Sequence, residues 1–153
     1  MKVELGVERP RRVTLFSLLV LLFGSGLNLA RAIWAWGAAA AFADMSVSTA
    51  LPMEWLAALS LIWSVVFALC AIGLWRLQTW GWFLTLAAVS LFHGHIWLNH
   101  FLFDRSFYAK QLWPFALVHT AVVLLGAWGF LIWPSVRRLY LGHLQTMFRG
   151  DDR

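Results

Sequence analysis

Residues 53–102 read MEWLAALSLIWSVVFALCAIGLWRLQTWGWFLTLAAVSLFHGHIWLNHFL. Two apolar runs, 53–75 and 80–102, lie either side of a four-residue polar interruption, Arg76, Leu77, Gln78 and Thr79. Each run exceeds the ~20 residues that a helix needs to cross a bilayer core. So short a link forces the two helices to be antiparallel neighbours. Outward from this pair, residues 13–36 and 112–133 are apolar runs of the same kind. The sequence therefore predicts an all-α integral membrane protein, a four-helix bundle of four spans in a single transmembrane domain.

Composition supports this. Of 153 residues, 61% are hydrophobic and 12% charged, against about 25% charged in a soluble domain. Four spans and their short connections use up the length, and no stretch within it is expected to fold as a separate soluble domain, for which ~50 residues is the lower bound. The net charge of +5 and pI near 10.4 would suggest nucleic acid in a soluble chain. Here basic residues flank spans and meet anionic headgroups instead, so lipid is an expected partner and nucleic acid is not. Cys70 is the only cysteine. This excludes an intrachain disulfide, a CxxC redox pair and a cysteine metal site, and leaves a small packing residue. Ala30, Arg31 and Ala32 resemble a signal-peptidase site after the basic Arg9, Arg11 and Arg12. The apolar run is long for a signal sequence and continues through Trp36, so it reads as a retained first span.

The charges predict orientation. Lys2, Arg9, Arg11, Arg12, Arg76, Arg137, Arg138, Arg149 and Arg153 fall on one side, nine in all. Arg105 and Lys110 fall on the other, and the connection 37–52 has no Lys or Arg. The positive-inside rule places both termini in the cytoplasm of a bacterial-type inner, or plasma, membrane. Pro52 with Glu54, and Trp113 with Pro114, suit helix starts. Trp34, Trp36, Trp55, Trp75, Trp80, Trp82, Trp113 and Trp133 sit where an aromatic belt belongs. Gly37 points to a break at the end of the first helix. After Pro134, the spacing of Tyr140, Leu141, Leu144 and Phe148 predicts a short amphipathic interfacial helix over about 135–149.

Polar residues inside spans are where function is to be sought. Gly24, Asn28, Arg31 and Ala35 share one face of the first helix. Ser60 and Ser64 are one turn apart on the second. On the third, His93 shares a face with Ser90, Trp97 and His100, while His95 and Asn99 share nearly the opposite face. His119 stands on the fourth. At ~1.5 Å per residue, Arg31, Ser60, His93, His95 and His119 all fall ~8–14 Å below the outer surface, a single polar layer in the outer half. A central Arg costs about 2.5–3.5 kcal/mol on insertion scales, and no carboxylate lies at the depth of Arg31. Arg31 is expected to face other helices, with Asn28 and a residue of the second or third span in reach. The alternative for Arg31 is snorkelling to the headgroups.

Three readings fit the histidines. One is interhelical hydrogen bonding. The second is ligation of a b-type haem or other pigment by His93 or His95 with His119. The third is a proton or small-molecule path. No separate metal site is read, and no catalytic residue. Absences narrow the classes further: no intramembrane Asp or Glu, no thiol pair, no Gly-x-Ser-x-Gly or His-Glu-x-x-His pattern and no phosphate-binding glycine loop. The sequence reads best as a small accessory or scaffolding subunit without catalysis of its own. It is expected to associate with other membrane proteins or with itself, Gly94, Gly126 and Gly129 offering small surfaces for close approach. The alternatives are an electron-transfer subunit holding haem, and small-molecule or lipid binding or transport through the polar layer.

Orientation is directly testable. Reporter fusions at Ser46 and Tyr108 should behave as exported, and a fusion after Thr79 as cytoplasmic; the reverse pattern would overturn the assignment.

Overall fold

The computed structural model describes residues 10–44, 53–103 and 111–149, and every element it assigns among them is helical. The first rod comprises α1 (Arg11–Leu19), a π-helical stretch (Val20–Gly26) and α2 (Leu27–Asp44). Then come α3 (Met53–Trp75), α4 (Thr79–Phe103), α5 (Trp113–Ile132) and α6 (Pro134–Arg149). Four segments are long and apolar enough to cross a membrane: Arg11–Ala39, Met53–Trp75, Thr79–Leu102 and Trp113–Ile132. Their length and composition make this a multi-pass membrane protein. Pro52, Arg105 and Lys110, and the charges near the two termini beyond residues 10 and 149, lie outside the described residues.

Gly37 does not break the first helix, contrary to the expectation from sequence; α2 runs through it to Asp44. The residues after it are mostly Ala, the best helix former, and one Gly costs only about 1 kcal/mol relative to Ala. The fourth span does end where expected. Trp133 is extended, with ψ 129°, because the residue before a proline avoids the helical region. Pro134 then opens α6, at a position that needs no amide donor.

The second span is the central element. Ala57, Ser60, Ser64, Phe67, Ala71 and Leu74 are buried along it, spaced alternately three and four residues apart. That 3.5-residue repeat makes a straight seam between helices. Most of these residues are small, as suits helices that must pack without a hydrophobic driving force between them. Opposite them on the first rod, Asn28, Ala32 and Ala35 are buried. The Ser25 and Ser64 hydroxyls lie 3.2 Å apart, and Phe67 rests on Gly24, where an added Cβ would come within 2.7 Å of the ring. On the third span, Thr85 and Ala88 are buried, and Cys70 is completely enclosed, as its packing role predicts.

The hairpin between the second and third spans sets the closest contact. A Cβ on Gly73 would stand 2.6 Å from the Gly81 Cα, and one on Gly81 would stand 2.8 Å from the Leu74 nitrogen. The two backbones touch. The turn closes as a Schellman motif: Gln78 N–H donates to Gly73 O at 2.9 Å, and Leu77 N–H to Leu74 O at 3.0 Å. Leu77 takes the left-handed conformation, φ 55°, a role usually filled by glycine because a Cβ costs roughly 1–2 kcal/mol there. Burial repays part of that cost, since Leu77 packs against the cluster formed by Val13, Leu74, Trp82, Leu131, Val136 and Tyr140.

This cluster corrects the expectation for Trp82 and adds to that for the C-terminal helix. Trp82 is buried rather than belted at an interface, and its indole N–H donates to Leu131 O at 2.9 Å. That carbonyl lies in the last turn of its helix, where no amide of the helix can reach it. Tyr140 is wholly enclosed as well, so α6 is docked onto the hairpin rather than simply floating at a surface. Tyr140 O–H donates to Leu74 O at 3.1 Å, and Thr79 O–H donates to Tyr140 O at 2.7 Å. The side chains of Leu144 and Phe148 lie outside those described. The cluster Phe67, Cys70, Ala88, Val89 and Ala127 continues the core outward from the hairpin end, and Phe16 stacks on Phe130 at 4.3 Å. The bulky rings along the spans divide: Phe67 is buried, Trp63, Phe92, Trp97 and Phe130 are half-buried, and Phe83 and Trp128 are exposed.

Gly94, Gly126 and Gly129 have open space around their Cα atoms within the chain. The close approaches are made at Gly24, Gly73 and Gly81. Replacing Gly81 with Ala should therefore cost about 1–3 kcal/mol by overpacking against backbone, while Gly94→Ala should be nearly neutral. Thermal unfolding in mild detergent reads both, and equal effects would contradict the packing described.

Burial also pushes the Tyr140 phenol up, from 10.0 to about 12. The folded state then prefers the neutral phenol. Its contribution is complete below pH 10 and is lost as pH rises toward about 12. Limited proteolysis of the C-terminal helix should show undocking in that window, and Tyr140→Phe should remove the pH dependence.

Candidate functional site

Hydroxyl and amide side chains inside these helices mostly bond back to their own backbone. Ser17 donates to Val13 O at 2.8 Å, Thr85 to Gly81 O at 2.7 Å and Ser90 to Leu86 O at 2.8 Å. Each satisfies itself locally, as lipid-embedded polar groups must. They carry no chemistry. The residues that depart from this pattern divide the expected polar layer into two separate places.

The first is a cavity of ≈ 330 Å³ among the first three spans, toward the end away from the hairpin. Asn28 and Arg31 reach it from the first span, Ser60 and Trp63 from the second, and Phe92, His95, Asn99 and His100 from the third. The π-helical stretch prepares the first of these walls. A π turn disturbs the regular pairing of amides and carbonyls, and Asn28 Nδ2 donates to Gly24 O at 2.7 Å. This holds Asn28 buried and leaves its amide oxygen as an acceptor. Arg31 is exposed but borders the cavity, so it belongs to the rim. Among the described residues no carboxylate pairs with it. The buried stripe of α2 runs through Asn28, Ala32 and Ala35, one step round from Arg31.

On the opposite wall, Asn99 Nδ2 and His95 Nε2 are 3.0 Å apart. With the amide donating and Nε2 accepting, the His95 ring carries its proton on Nδ1 and keeps one donor to offer. Trp63 stands over this ring, centroids 6.2 Å apart, and meets Phe92 edge-on at 5.1 Å. His100, which its spacing placed with His93, also lines the cavity. The cavity therefore combines one fixed positive charge, several neutral hydrogen-bonding groups and an aromatic floor. Leu56, Leu59 and Ile96 supply the apolar remainder.

The second place lies between the third and fourth spans. His93 is buried, 4% exposed, with Nδ1 2.8 Å from Val89 O. His119 is exposed, and its ring centroid is 6.2 Å from that of His93. Thus His93, not His95, is the third-span histidine that meets His119. The two spans are bridged above and below: Trp97 Nε1 donates to Thr120 Oγ1 at 3.1 Å, and Trp128 Nε1 to Ser90 Oγ at 3.2 Å. Among the described residues no group of three or more His, Cys, Asp or Glu is arranged to hold a metal ion.

Sequence reasoning grouped Asn28, Arg31, Ser60, His93, His95, Asn99 and His119 as the polar cluster within the spans. The structure brings the first three together with His95 and Asn99, and sets His93 and His119 apart from them. The helical angle between His93 and His95 contained that signal. Nothing in the sequence marks Trp63 and Phe92 as walls of the cavity; tertiary packing identifies them.

Comparison with known proteins finds no matching family model, no matching curated protein and no matching solved structure.

Proposed function

We propose that this protein is a non-catalytic accessory subunit of a membrane assembly that binds a compact anionic group, a phosphate or carboxylate borne on a lipid-soluble molecule, in the cavity among its first three spans. The observation that carries the reading is Arg31. A guanidinium within an apolar span is costly, and here it borders a cavity of ligand size without a carboxylate partner among the described residues. An anion that enters removes that cost, and the planar donor fork of arginine suits oxoanions. Asn28, Ser60 and the free donor of His95 complete a polar cradle, while Leu56, Leu59 and Ile96 accommodate apolar chain.

The charge asymmetry supports an orientation with this cavity in the outer half of the membrane and both termini inside. The inner membrane of a bacterium suits that arrangement. The fourth span supports the accessory role. It is the span least enclosed by the chain, and Gly126 and Gly129 leave its surface open, so a second copy or a neighbouring membrane helix finds a small-residue face there.

The purified protein in mild detergent should retain phosphatidic acid in preference to diacylglycerol, which has the same chains without the phosphate, by native mass measurement. Arg31→Gln should reduce that preference at least tenfold while the protein stays folded. Equal retention of the two lipids by the native chain would sink the reading. The same spectra report whether the chain is associated, and a stable monomer that co-purifies with nothing counts against the accessory role.

A further inference from the structure

His93 Nε2 is a buried side-chain nitrogen without a hydrogen-bond partner among the described residues. Its other nitrogen is already committed: Nδ1 sits 2.8 Å from the Val89 carbonyl, a distance at which only an N–H can face an oxygen. The neutral ring therefore carries its proton on Nδ1, and Nε2 holds a bare lone pair. A buried acceptor left empty is unfavourable, because it has lost water and gained no partner.

That lone pair belongs to a residue that lines a groove of ≈ 480 Å³ between the third and fourth spans. Ser90, Gly94, Trp97, Thr120, Leu124, Leu125 and Trp128 form the rest of it. Trp97 and Trp128 are fixed at its two ends by their hydrogen bonds to Thr120 and Ser90. Those bonds use up both indole donors and one lone pair on each hydroxyl. Gly94 has no neighbour within 4 Å of an added Cβ, so the floor is flat and open. Leu125 is 74% exposed, which places the mouth on the apolar outer surface of the bundle.

We propose that this groove binds a lipid-soluble aromatic alcohol of the quinol class, whose hydroxyl donates to His93 Nε2. Three constraints select that chemistry. The ligand must donate a hydrogen bond, because Nε2 can only accept one. It must be planar or slender and largely apolar, because the walls are indole, Leu and a bare glycine. It must come from the membrane, because the mouth opens to the lipid-facing surface of the spans. A quinol meets all three, whereas its oxidised quinone has carbonyl acceptors only and meets the last two. The exposed His119 ring lies 6.2 Å from that of His93, centroid to centroid. The site is independent of the anion cavity, and Arg31→Gln leaves it intact.

The test uses the full-length protein in mild detergent with three probes of one shape: a decyl-substituted benzoquinol, its quinone and its dimethyl ether. Binding is read by nitrogen NMR of labelled histidine, with the His93 signal assigned by its loss in His93→Phe. The quinol should shift the His93 Nε2 resonance and bind at least tenfold more tightly than the ether or the quinone. Gly94→Leu, which fills the floor without touching His93, should weaken the quinol by a similar factor. Equal affinity for all three probes would reduce the groove to a lipid contact and overturn the proposal. A Soret band in the protein as purified, abolished by His93→Phe, would also overturn it, because iron would then hold the lone pair. If His93→Phe does not fold, the comparison of the three probes on the native chain still decides.

Discussion

The backbone contact between Gly73 and Gly81 is the constraint on which the rest of the molecule depends. Two helices can come this close only where neither has a side chain, and here both glycines flank one turn at equal distance from it. The contact fixes the spacing of the second and third spans at the hairpin end. It also fixes the rotation of the second span, and so aims its seam of Ala57, Ser60, Ser64, Phe67, Ala71 and Leu74 at the first rod. The same end supplies the carbonyls of Leu74 and Leu131, which accept Tyr140 and Trp82. Buried hydrogen bonds to terminal helix carbonyls solve a problem that lipid makes acute, since no water is present to satisfy them. One end of the protein is therefore closely packed, hydrogen-bonded at its helix ends and contacted by the C-terminal helix through Tyr140.

The other end is built differently. Away from the hairpin the spans leave space, and both the cavity of ≈ 330 Å³ and the groove of ≈ 480 Å³ occupy it. The polar side chains follow the space rather than the core. Asn28, His95 and Asn99 are held by short-range bonds within their own helices, which positions their remaining polar atoms without linking the helices tightly. A rigid end and a permissive end suit a chain that holds something in the membrane, because the first maintains the geometry that the second offers.

Much of this was legible before any coordinates. Apolar runs of more than 20 residues mark spans, and the four-residue interruption fixed the hairpin. The tail helix followed from the spacing around Tyr140, though not its docking, because enclosure of a tyrosine depends on what lies above it. The fate of Gly37 was misjudged because a glycine weighs little against a run of alanines. Gly94, Gly126 and Gly129 were read as surfaces for association, and the contact within the chain between Gly73 and Gly81 was not sought, although their symmetry about the turn singles them out. The polar residues were recognised individually, but a common depth does not make a common site. Their division followed from helical angle, most clearly for His93 and His95. The π-helical stretch left no sequence signal beyond Gly24 and Gly26, and it decides how the first rod meets its neighbours.

That stretch separates two sets of partners. Before it, Val13 and Phe16 turn to Leu131, Tyr140 and Phe130; after it, Asn28, Ala32 and Ala35 lie along the second span. A wider turn advances less per residue around the axis, so Val20–Gly26 acts as a swivel that lets one rod keep two orientations. Length within it is consequently an angular coordinate. Each residue added or removed would turn the N-terminal portion by about 100°, given 3.6 residues per turn, and would carry Phe16 off Phe130 with hardly any change in the reach of the helix. Natural variation in this region should appear as substitution at constant length, and the first span should be read as two short helices in a fixed phase relation rather than one long one.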